Sequence, residues 1–245
     1  MPTTLGLIGS GMIGGTLARL AVTAGLDVVL ANSRAPHTLA GLVTELGGYA
    51  RAATPAEAAE ASDLVVAAIP LKAYDQLPSA ALVGKTVIDT TNYYPERDGR
   101  IGALDSDELT SSELVQRHLP GAHVVKAFNN LGSHQLFTLA RPSGTPDRTA
   151  LPIAGDDANA KQQATELLDV LGYDAVDIGT LADSWRSGPN TALYGFPYLG
   201  QPPAGLDAEE LHHWAAQSPG VPVSARRVKE LAEAAVRGPA GAFYS

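Results

Sequence analysis

The chain has 245 residues, of which 45% are hydrophobic and 18% are charged, and its formal net charge is -9. This length and apolar content suffice for one large α/β domain, or for one domain with a smaller companion. The acidic balance argues against nucleic-acid binding, and the absence of cysteine excludes disulfides, thiolate catalysis and cysteine metal sites.

Other features narrow the class of protein further. No apolar run approaches the roughly 20 residues that a membrane-spanning helix needs, so no membrane segment is predicted. The first predicted strand begins within a few residues of the N-terminus, which leaves no room for a signal peptide, and a cytoplasmic protein is expected. The six histidines show no metal-site spacing, and no metal is predicted.

The chain opens with a short apolar strand, a glycine-rich turn and a helical pattern that ends near residue 24. Gly9, Gly11 and Gly14 give the spacing G-x-G-x-x-G, which is typical of a dinucleotide site. Gly9 allows a tight turn, Gly11 lets a pyrophosphate approach the backbone, and Gly14 lets the helix pack closely. The helix N-terminus then offers free N–H groups to the phosphates. The predicted cofactor contacts of this turn are Gly9, Ser10, Gly11, Met12, Ile13 and Gly14.

Apolar runs and helical patterns alternate along the following residues. Further strands are predicted near residues 28–31, 49–52, 64–69, 86–89 and 123–127. Helices are predicted near residues 38–46, 54–61, 73–77 and 111–118, the last capped by Ser111 or Ser112. Residues 92–100 are too polar and too rich in turn residues for a regular element. The alternation predicts an α/β fold with a Rossmann-type, doubly wound parallel sheet.

A second set of elements follows a connector near residues 131–149. It comprises a strand, an amphipathic helix over residues 158–171, a strand near residues 174–178, and two later helices near residues 208–216 and 224–236. We therefore predict a nucleotide-binding domain over residues 1–149 and a small C-terminal portion over residues 150–245 that completes the cleft.

The residues after the second strand distinguish NADP from NAD. NAD sites carry an Asp or Glu there, about 20 residues beyond the glycine turn, whose carboxylate binds the ribose hydroxyls. This chain has Asn32, Ser33 and Arg34 instead. Because these three residues include no carboxylate, none of them would repel a 2′-phosphate. Arg34 can bind a phosphate bidentately. The predicted cofactor is therefore NADP(H), and the alternative is an ordinary turn with a solvated arginine.

Two later strand ends extend the predicted cofactor site. Ile69, Pro70 and Leu71 close the fourth strand, where the chain either passes the ribose and nicotinamide or simply packs. Asn92 and the Thr-Thr pair before it end the fifth strand. Their polar groups either bind the ribose or the nicotinamide carboxamide, or cap the next turn.

Lys126 and Asn129 are the predicted catalytic residues. Lys126 interrupts an apolar strand near its carboxyl end, and Asn129 follows the same strand. A cation there can orient a carboxamide or stabilise developing negative charge. The alternative for Lys126 is a side chain that extends its ammonium to solvent from the strand end. No Ser-His-Asp arrangement is visible, which is consistent with hydride chemistry supplied by cofactors.

Six stretches taken together resemble the family of coenzyme F420-dependent NADP oxidoreductases. They are residues 6–14, 32–34, 67–70, 87–92, 124–129 and 152–157, and the resemblance extends over about residues 4–195. F420 is a deazaflavin that accepts a hydride. Part of the same pattern also resembles the cytosolic domain of the six-transmembrane metalloreductases, which passes a hydride from NADPH to a flavin.

The resemblance implies NADPH in the glycine turn, with its 2′-phosphate near Ser33 and Arg34. It also implies a planar hydride acceptor, F420 or FMN/FAD, in the cleft beside the C-terminal portion. Archaeal members carry a Gly-Gly-Thr-Gly turn, and a histidine beside the deazaflavin about where this chain has Asn129. This difference leaves the acceptor open.

Three functions are therefore considered. The first is hydride transfer between NADPH and a deazaflavin or flavin coenzyme. The second is NADPH-dependent reduction of a small carbonyl or imine, with Tyr93, Tyr94 or Lys126 as proton donor. The third is a non-enzymatic NADP sensor, suggested by the proline-containing residues 200–222. A homodimer is a further expectation, because the C-terminal portion is rich in aromatic residues that otherwise close the cleft or pack internally. These residues are Trp185, Tyr194, Phe196, Tyr198 and Trp214.

Overall fold

The computed structural model describes residues 4–238, except for the side chains of Ala208 and His212. One eight-stranded sheet forms its centre, in the order β3-β2-β1-β4-β5-β6-β7-β8. The strands are β1 (Thr4–Ile8), β2 (Asp27–Ala31), β3 (Ala50–Ala52), β4 (Leu64–Ala67), β5 (Thr86–Asp89), β6 (His123–Lys126), β7 (Ala150–Gly155) and β8 (Asp174–Asp177). Neighbouring strands are parallel except β6 and β7, which are antiparallel. The predicted Rossmann-type fold class is confirmed.

Helices connect the strands and cover the sheet. They are α1 (Met12–Thr23), α2 (Ala40–Leu46), α3 (Pro55–Glu60), α4 (Pro95–Asp98), α5 (Gly102–Asp105), α6 (Ser111–His118), α7 (Ser133–Thr138), α8 (Ala158–Leu171), α9 (Phe196–Leu199), α10 (Ala208–Gln217) and α11 (Ala225–Glu233). Within residues 4–238, no helix combines the length and the apolar character that a bilayer span requires.

The two larger apolar clusters lie on opposite faces of the sheet. Ile88 and Val125 belong to the cluster formed with α1 and α8, whereas their neighbours Val87 and Val124 belong to the cluster formed with α6. Successive strand residues point to opposite faces, so a strand buried on both sides reads as an unbroken apolar run. The run in β4 is of this kind, and all four of its residues are buried.

Side chains and a glycine cap the ends of several helices. Thr54 accepts a hydrogen bond from the backbone N–H of Glu57, whose carboxylate accepts the N–H of Thr54 at 2.8 Å. This reciprocal pair is a capping box at the start of α3. α8 begins after Asp157, which caps the N–H of Ala160 at 2.8 Å. It ends at Gly172, where φ is 104°.

Two local predictions are wrong. α6 is capped by Thr110 and not by Ser111 or Ser112. Ser112 is unavailable as a cap because its hydroxyl donates to Asp89 Oδ2 at 2.8 Å in the core. Residues 92–100, predicted to be irregular, contain the one-turn helix α4, which begins at a proline and ends before a glycine.

The C-terminal residues continue the same sheet. β7 adds to β6, and β8 adds to β7. Tyr198 of α9 is fully buried and donates to the carbonyl oxygen of Ala150 at 3.1 Å, which ties α9 to β7. The division into residues 1–149 and 150–245 stays a prediction.

Candidate cofactor and active site

The turn between β1 and α1 has the geometry that its glycine spacing predicts. Gly9 has a φ of 103°, and a Cβ there would come within 2.2 Å of the Ala68 carbonyl oxygen. A Cβ on Gly14 would lie 1.9 Å from the Gly9 carbonyl oxygen, so α1 packs directly on the turn. A Cβ on Gly11 would meet nothing within 4 Å, and Gly11 precedes α1 without a side-chain cap. Space and free N–H groups are therefore left for a phosphate.

A groove of about 500 Å³ lies on one side of this turn, at the carboxyl end of β2. The predicted residues that line it, apart from those shared with a second groove, are Gly9, Ser10, Asn32, Ser33 and Arg34. Asn32 shapes the turn, because its side chain accepts the N–H of Arg34 at 2.8 Å and donates to Thr38 Oγ1 at 3.1 Å.

Lys72 also lines this groove. Lys72 lies in the 3₁₀ turn after β4. The sequence does not indicate its position at this groove, because Lys72 is distant from Arg34 along the chain. In the part of the chain that the structure describes, neither Lys72 nor Arg34 has an ion-pair partner. Two unpaired cations at one groove complement a phosphate dianion.

A second groove, of about 460 Å³, meets the first at Gly11, Ala68, Ile69 and Pro70. The other predicted residues that line it are Met12, Ile13, Asn92 and Asn129. Thr90 and Thr91 line it as well, and the Thr90 hydroxyl donates to the Ala67 carbonyl oxygen at 3.3 Å. The two grooves together follow the carboxyl ends of the central strands, where open α/β sheets bind ligands.

Leu71 is not part of either groove, so its predicted contact with a cofactor is wrong. Its side chain is fully buried in the apolar cluster beneath α6. Pro70 precedes a 3₁₀ turn over Leu71–Gln76, and this turn carries Leu71 into the core. Gly14 is also buried, and it packs closely on the turn; its contact with the cofactor stays a prediction.

Lys126 lies behind the second groove, beside a separate cavity of about 90 Å³. Its side chain is 2% exposed, and its ammonium lies 2.8 Å from Asp89 Oδ2. The ammonium also donates to the Thr91 carbonyl oxygen at 2.5 Å and to Ser111 Oγ at 3.2 Å. Burial lowers the pKa of Lys126, and the Asp89 carboxylate opposes that shift.

The alternative in which Lys126 extends to solvent is wrong, because its charge is paired inside the protein. Through Thr91 the ammonium holds the loop that follows β5. These contacts favour a positioning role, and a direct part in the chemistry stays a prediction.

Asn129 separates the groove from the cavity of Lys126. Its amide donates to Asn92 Oδ1 at 3.1 Å and to the Ser187 carbonyl oxygen at 2.9 Å, and it accepts from Ser187 Oγ at 3.2 Å. Asn92 donates in turn to the Asn129 carbonyl oxygen at 2.8 Å. The amide of Asn129 is thus engaged within the protein and joins three loops. Its catalytic role stays a prediction, and its contacts favour positioning.

Two tyrosines meet at the second groove. The hydroxyls of Tyr94 and Tyr194 share a hydrogen bond, and both residues line the groove. Burial raises the pKa of Tyr94, whereas the bond to Tyr194 and the charge of Arg97 oppose that shift. Tyr93 lies outside the groove, with its hydroxyl bonded to a carboxylate of α5. The sequence predicts Tyr194 only as an aromatic residue that contributes to a dimer, closes the cleft or packs internally. Tyr93 is the less suitable proton donor.

The other aromatic residues of the C-terminal portion differ in burial, and Phe196 is 49% exposed. Tyr198 is buried, and the Arg186 guanidinium lies 4.7 Å above the Trp185 ring. The homodimer stays a prediction. Among residues 4–238, no group of three or more metal-binding side chains is present.

Comparison with known proteins places this geometry in a family. The family model described as NADP oxidoreductase, coenzyme F420-dependent, matches residues 4–93, from β1 to the loop after β5. Metalloreductase STEAP3 of Rattus norvegicus is 31% identical over 182 residues, which are 74% of this chain and 34% of that protein. The chain thus spans about a third of the length of this relative.

Solved structures share the fold over most of the chain. A hypothetical protein of Sinorhizobium meliloti is 30% identical, with a TM-score of 0.69 over 79% of this chain and 93% of that chain. A candidate F420-dependent NADP reductase of Arthrobacter sp. FB24 is 24% identical, with a TM-score of 0.64 over 75% and 87% of the two chains. At that identity the second structure shows the fold alone.

The family match covers the glycine turn, the carboxyl ends of β2, β4 and β5, and Asn92, whereas the end of β6 lies beyond it. The protein from Sinorhizobium meliloti is similar to this chain over 93% of its own length and 79% of this chain. Residues 4–93 therefore match the family of coenzyme F420-dependent NADP oxidoreductases, and the fold of most of the chain is shared with the structures named above.

Proposed function

We propose that this protein binds NADP(H) along both grooves and transfers a hydride between its nicotinamide and a deazaflavin (F420) or flavin coenzyme. One observation carries the proposal. The two grooves join at Gly11, at the N-terminus of α1, where a side chain would enter open space. A dinucleotide is the class of ligand that has two arms joined by a pyrophosphate, so it fits this arrangement.

The residues of the first groove suit the phosphates. The N–H groups at the start of α1 face the position of a pyrophosphate, where the helix dipole favours negative charge. Arg34 and Lys72 are the cations for a 2′-phosphate, and their unpaired state leaves their donors available. NADPH, when bound, supplies the hydride, while this chain orients the cofactor and limits the access of water.

The acceptor has space next to the second groove. A third groove, of about 360 Å³, shares Met12, Leu131 and Tyr194 with the second and continues between α7 and α10. Ring systems with an extended side chain, such as deazaflavins and flavins, fit a groove that continues past the reacting centre. This continuity favours a coenzyme as the acceptor.

Reduction of a small carbonyl or imine is the second candidate. A specific observation favours it, because the pair of phenols at the second groove provides acidic protons beside the nicotinamide position. Alkoxide and amide anions that form on hydride addition are strong bases, so they need such a donor.

The test is turnover with defined acceptors. The purified protein is mixed with NADPH and, separately, with F420, FMN, FAD and 2-methyl-1-pyrroline, and the absorbance of NADPH and of the acceptor is followed. We expect oxidation of NADPH coupled to bleaching of F420 or of a flavin. Turnover of the imine alone would support the second candidate. NADPH binding without consumption in every mixture would contradict both and favour a sensor.

A further inference from the structure

The phenols of Tyr94 and Tyr194 form a junction between two distant parts of the chain. Tyr94 follows β5 and immediately precedes α4, and Tyr194 lies just before α9. Their hydroxyls are hydrogen-bonded to each other at the second groove. Neither the family match, which ends at residue 93, nor the predicted cofactor contacts include either residue.

Both side chains are held by neighbouring groups. The N–H of Tyr94 donates to Asp98 Oδ2 at 3.0 Å, and the Arg97 guanidinium lies 4.8 Å from the centre of the Tyr94 ring. Arg97 is itself fixed, since it pairs with Asp98 at 2.8 Å and donates to the Asn92 carbonyl oxygen at 2.8 Å. The amide of Asn92 lies 3.5 Å from the Tyr194 oxygen.

These neighbours favour Tyr94 as the residue that loses a proton. A phenolate on Tyr94 would accept the hydrogen bond of the Tyr194 hydroxyl and would lie beside the Arg97 charge. The hydrogen bond and the positive charge favour the ionised form, and they oppose burial and the Asp98 charge, which raise the pKa of Tyr94.

We propose that Tyr94 and Tyr194 deliver the proton that the acceptor takes up when it receives the hydride. The inference rests on the proposed function, and it adds the two residues that complete the reaction. Tyr94 is the donor to the acceptor, and Tyr194 restores the proton of Tyr94.

The step balances in atoms and charge. The hydride carries two electrons and one hydrogen from NADPH to an electrophilic carbon or nitrogen of the acceptor, and NADP⁺ is formed. The π electron pair of the acceptor moves to its conjugated nitrogen or oxygen, and that atom takes the proton of the Tyr94 hydroxyl. Tyr194 donates its proton to the Tyr94 oxygen, and water protonates Tyr194. Overall, NADPH, one proton and the oxidised acceptor are converted into NADP⁺ and the reduced acceptor.

The test compares Tyr94→Phe and Tyr194→Phe with the wild type, using whichever of F420, FMN and 2-methyl-1-pyrroline the wild type reduces. Tyr49→Phe is the matched control, because Tyr49 is 53% exposed and lies outside the grooves. Thermal unfolding and NADPH titration of each variant verify the fold and the cofactor site. The pH dependence of kcat is then measured for each protein.

We expect Tyr94→Phe to lower kcat by about 100-fold or more, as loss of a general acid does, with unchanged NADPH affinity. Tyr194→Phe should lower kcat less and should shift the alkaline limb of the profile. The charged and titratable groups that face Tyr94 are Tyr194, Arg97 and Asp98. The wild-type kcat should be flat through neutral pH and should fall only in the alkaline range where phenols ionise.

Specific results would overturn the inference. If both variants keep the wild-type kcat and the wild-type pH profile, the proton comes from elsewhere, although hydride transfer stands. If Tyr94→Phe does not fold, the kcat of Tyr194→Phe and the pH profile of the wild type decide. The inference is overturned if Tyr194→Phe keeps the wild-type kcat and the wild-type kcat does not fall in the alkaline range. If the wild type oxidises no NADPH with any acceptor, the proposed function itself fails, and the proton-delivery role fails with it.

Discussion

The ammonium of Lys126 lies 2.8 Å from the carboxylate of Asp89, and the two side chains are 2% and 0% exposed. Sheet pairing brings them together, because Asp89 of β5 and Lys126 of β6 are register partners. Asp89 also accepts the N–H of Thr91 at 2.8 Å, and Lys126 donates to the carbonyl oxygen of the same residue. The ion pair therefore fixes the backbone that leads to Asn92 and the second groove.

Removal of one charge from this pair should destabilise the protein strongly. Lys126→Met leaves the Asp89 carboxylate buried without its cation, and such changes cost about 3–5 kcal/mol. We expect that loss in urea unfolding, and we expect the double variant Lys126→Met with Asp89→Asn to recover part of it.

Lys161→Met is the matched control for this change. Lys161 pairs with Asp177 at 2.7 Å, but the Asp177 side chain is 52% exposed. Loss of such a pair should cost about 0–1 kcal/mol. If Lys126→Met unfolds at the same urea concentration as the wild type, the ion pair does not hold the loop, and its positioning role is wrong.

Two alanine substitutions should separate packing from cofactor binding in the glycine turn. Gly14→Ala should weaken both the fold and the affinity for NADPH, because its Cβ would lie 1.9 Å from the Gly9 carbonyl oxygen. Gly11→Ala should keep the unfolding free energy within about 1 kcal/mol, the scale of a changed N-cap residue. It should still lower the affinity for NADPH, because its methyl group enters the pyrophosphate position.

Calorimetric titration with NADPH and urea unfolding measure the two effects. Gly41→Ala provides the control, since a Cβ at Gly41 also meets nothing within 4 Å and Gly41 lies outside both grooves. Unchanged NADPH affinity in Gly11→Ala would mean that the pyrophosphate lies elsewhere.

Arg34 and Lys72 should decide the choice between NADPH and NADH. Arg34→Ala should reduce the affinity for NADPH by about 10-fold or more, as expected for the loss of a charge-assisted phosphate contact worth roughly 1.5–3 kcal/mol. The affinity for NADH, which has no 2′-phosphate, should change little. Lys72→Ala should have a smaller effect in the same direction.

The comparison is made by titration with both dinucleotides, and Arg226→Ala is the control because its side chain is 89% exposed on α11. Equal losses for NADPH and NADH in Arg34→Ala would show that Arg34 does not read the 2′-phosphate.

The buried tyrosines should make the fold sensitive to alkali. Burial raises the pKa of both Tyr173 and Tyr198, which are fully buried. Phenols of the unfolded chain ionise near pH ~10, so above that pH the unfolded state releases protons that the folded state retains. The stabilisation from these groups is therefore complete below pH ~10 and decreases as the pH rises further.

Urea unfolding at neutral and alkaline pH measures this dependence. Tyr198→Phe should be less stable at neutral pH by about 1 kcal/mol, because it loses the hydrogen bonds of the Tyr198 hydroxyl. Its stability should also fall less with alkali. An identical alkaline loss in the wild type and the variant would contradict this origin of the effect.

The nucleotide-binding half of the fold could be predicted because its signals are local. The glycine spacing, the apolar runs of the parallel strands and the capping box at Thr54 each lie within a few residues of one another. Gly172, which ends α8, is a signal of the same kind.

The far side of the site depends on contacts that no local pattern encodes. Lys126 is paired because of strand register, Lys72 reaches the first groove after a turn beyond β4, and Tyr194 meets Tyr94 from a distant loop. Phe128 adopts a φ of 57° although it is a buried aromatic residue. Such a backbone conformation costs of order 1–3 kcal/mol and is imposed by the surroundings, so the sequence carries no sign of it.

A crystal structure of the protein with NADPH tests the cofactor site most directly. It should show the pyrophosphate within hydrogen-bond distance of the N–H groups at the start of α1, and the 2′-phosphate at Arg34. It should also show the nicotinamide in the second groove, on the side of Asn92 and Asn129 that faces Tyr94. A nicotinamide in the cavity beside Lys126, or a dinucleotide bound away from Gly11, would contradict the proposed site.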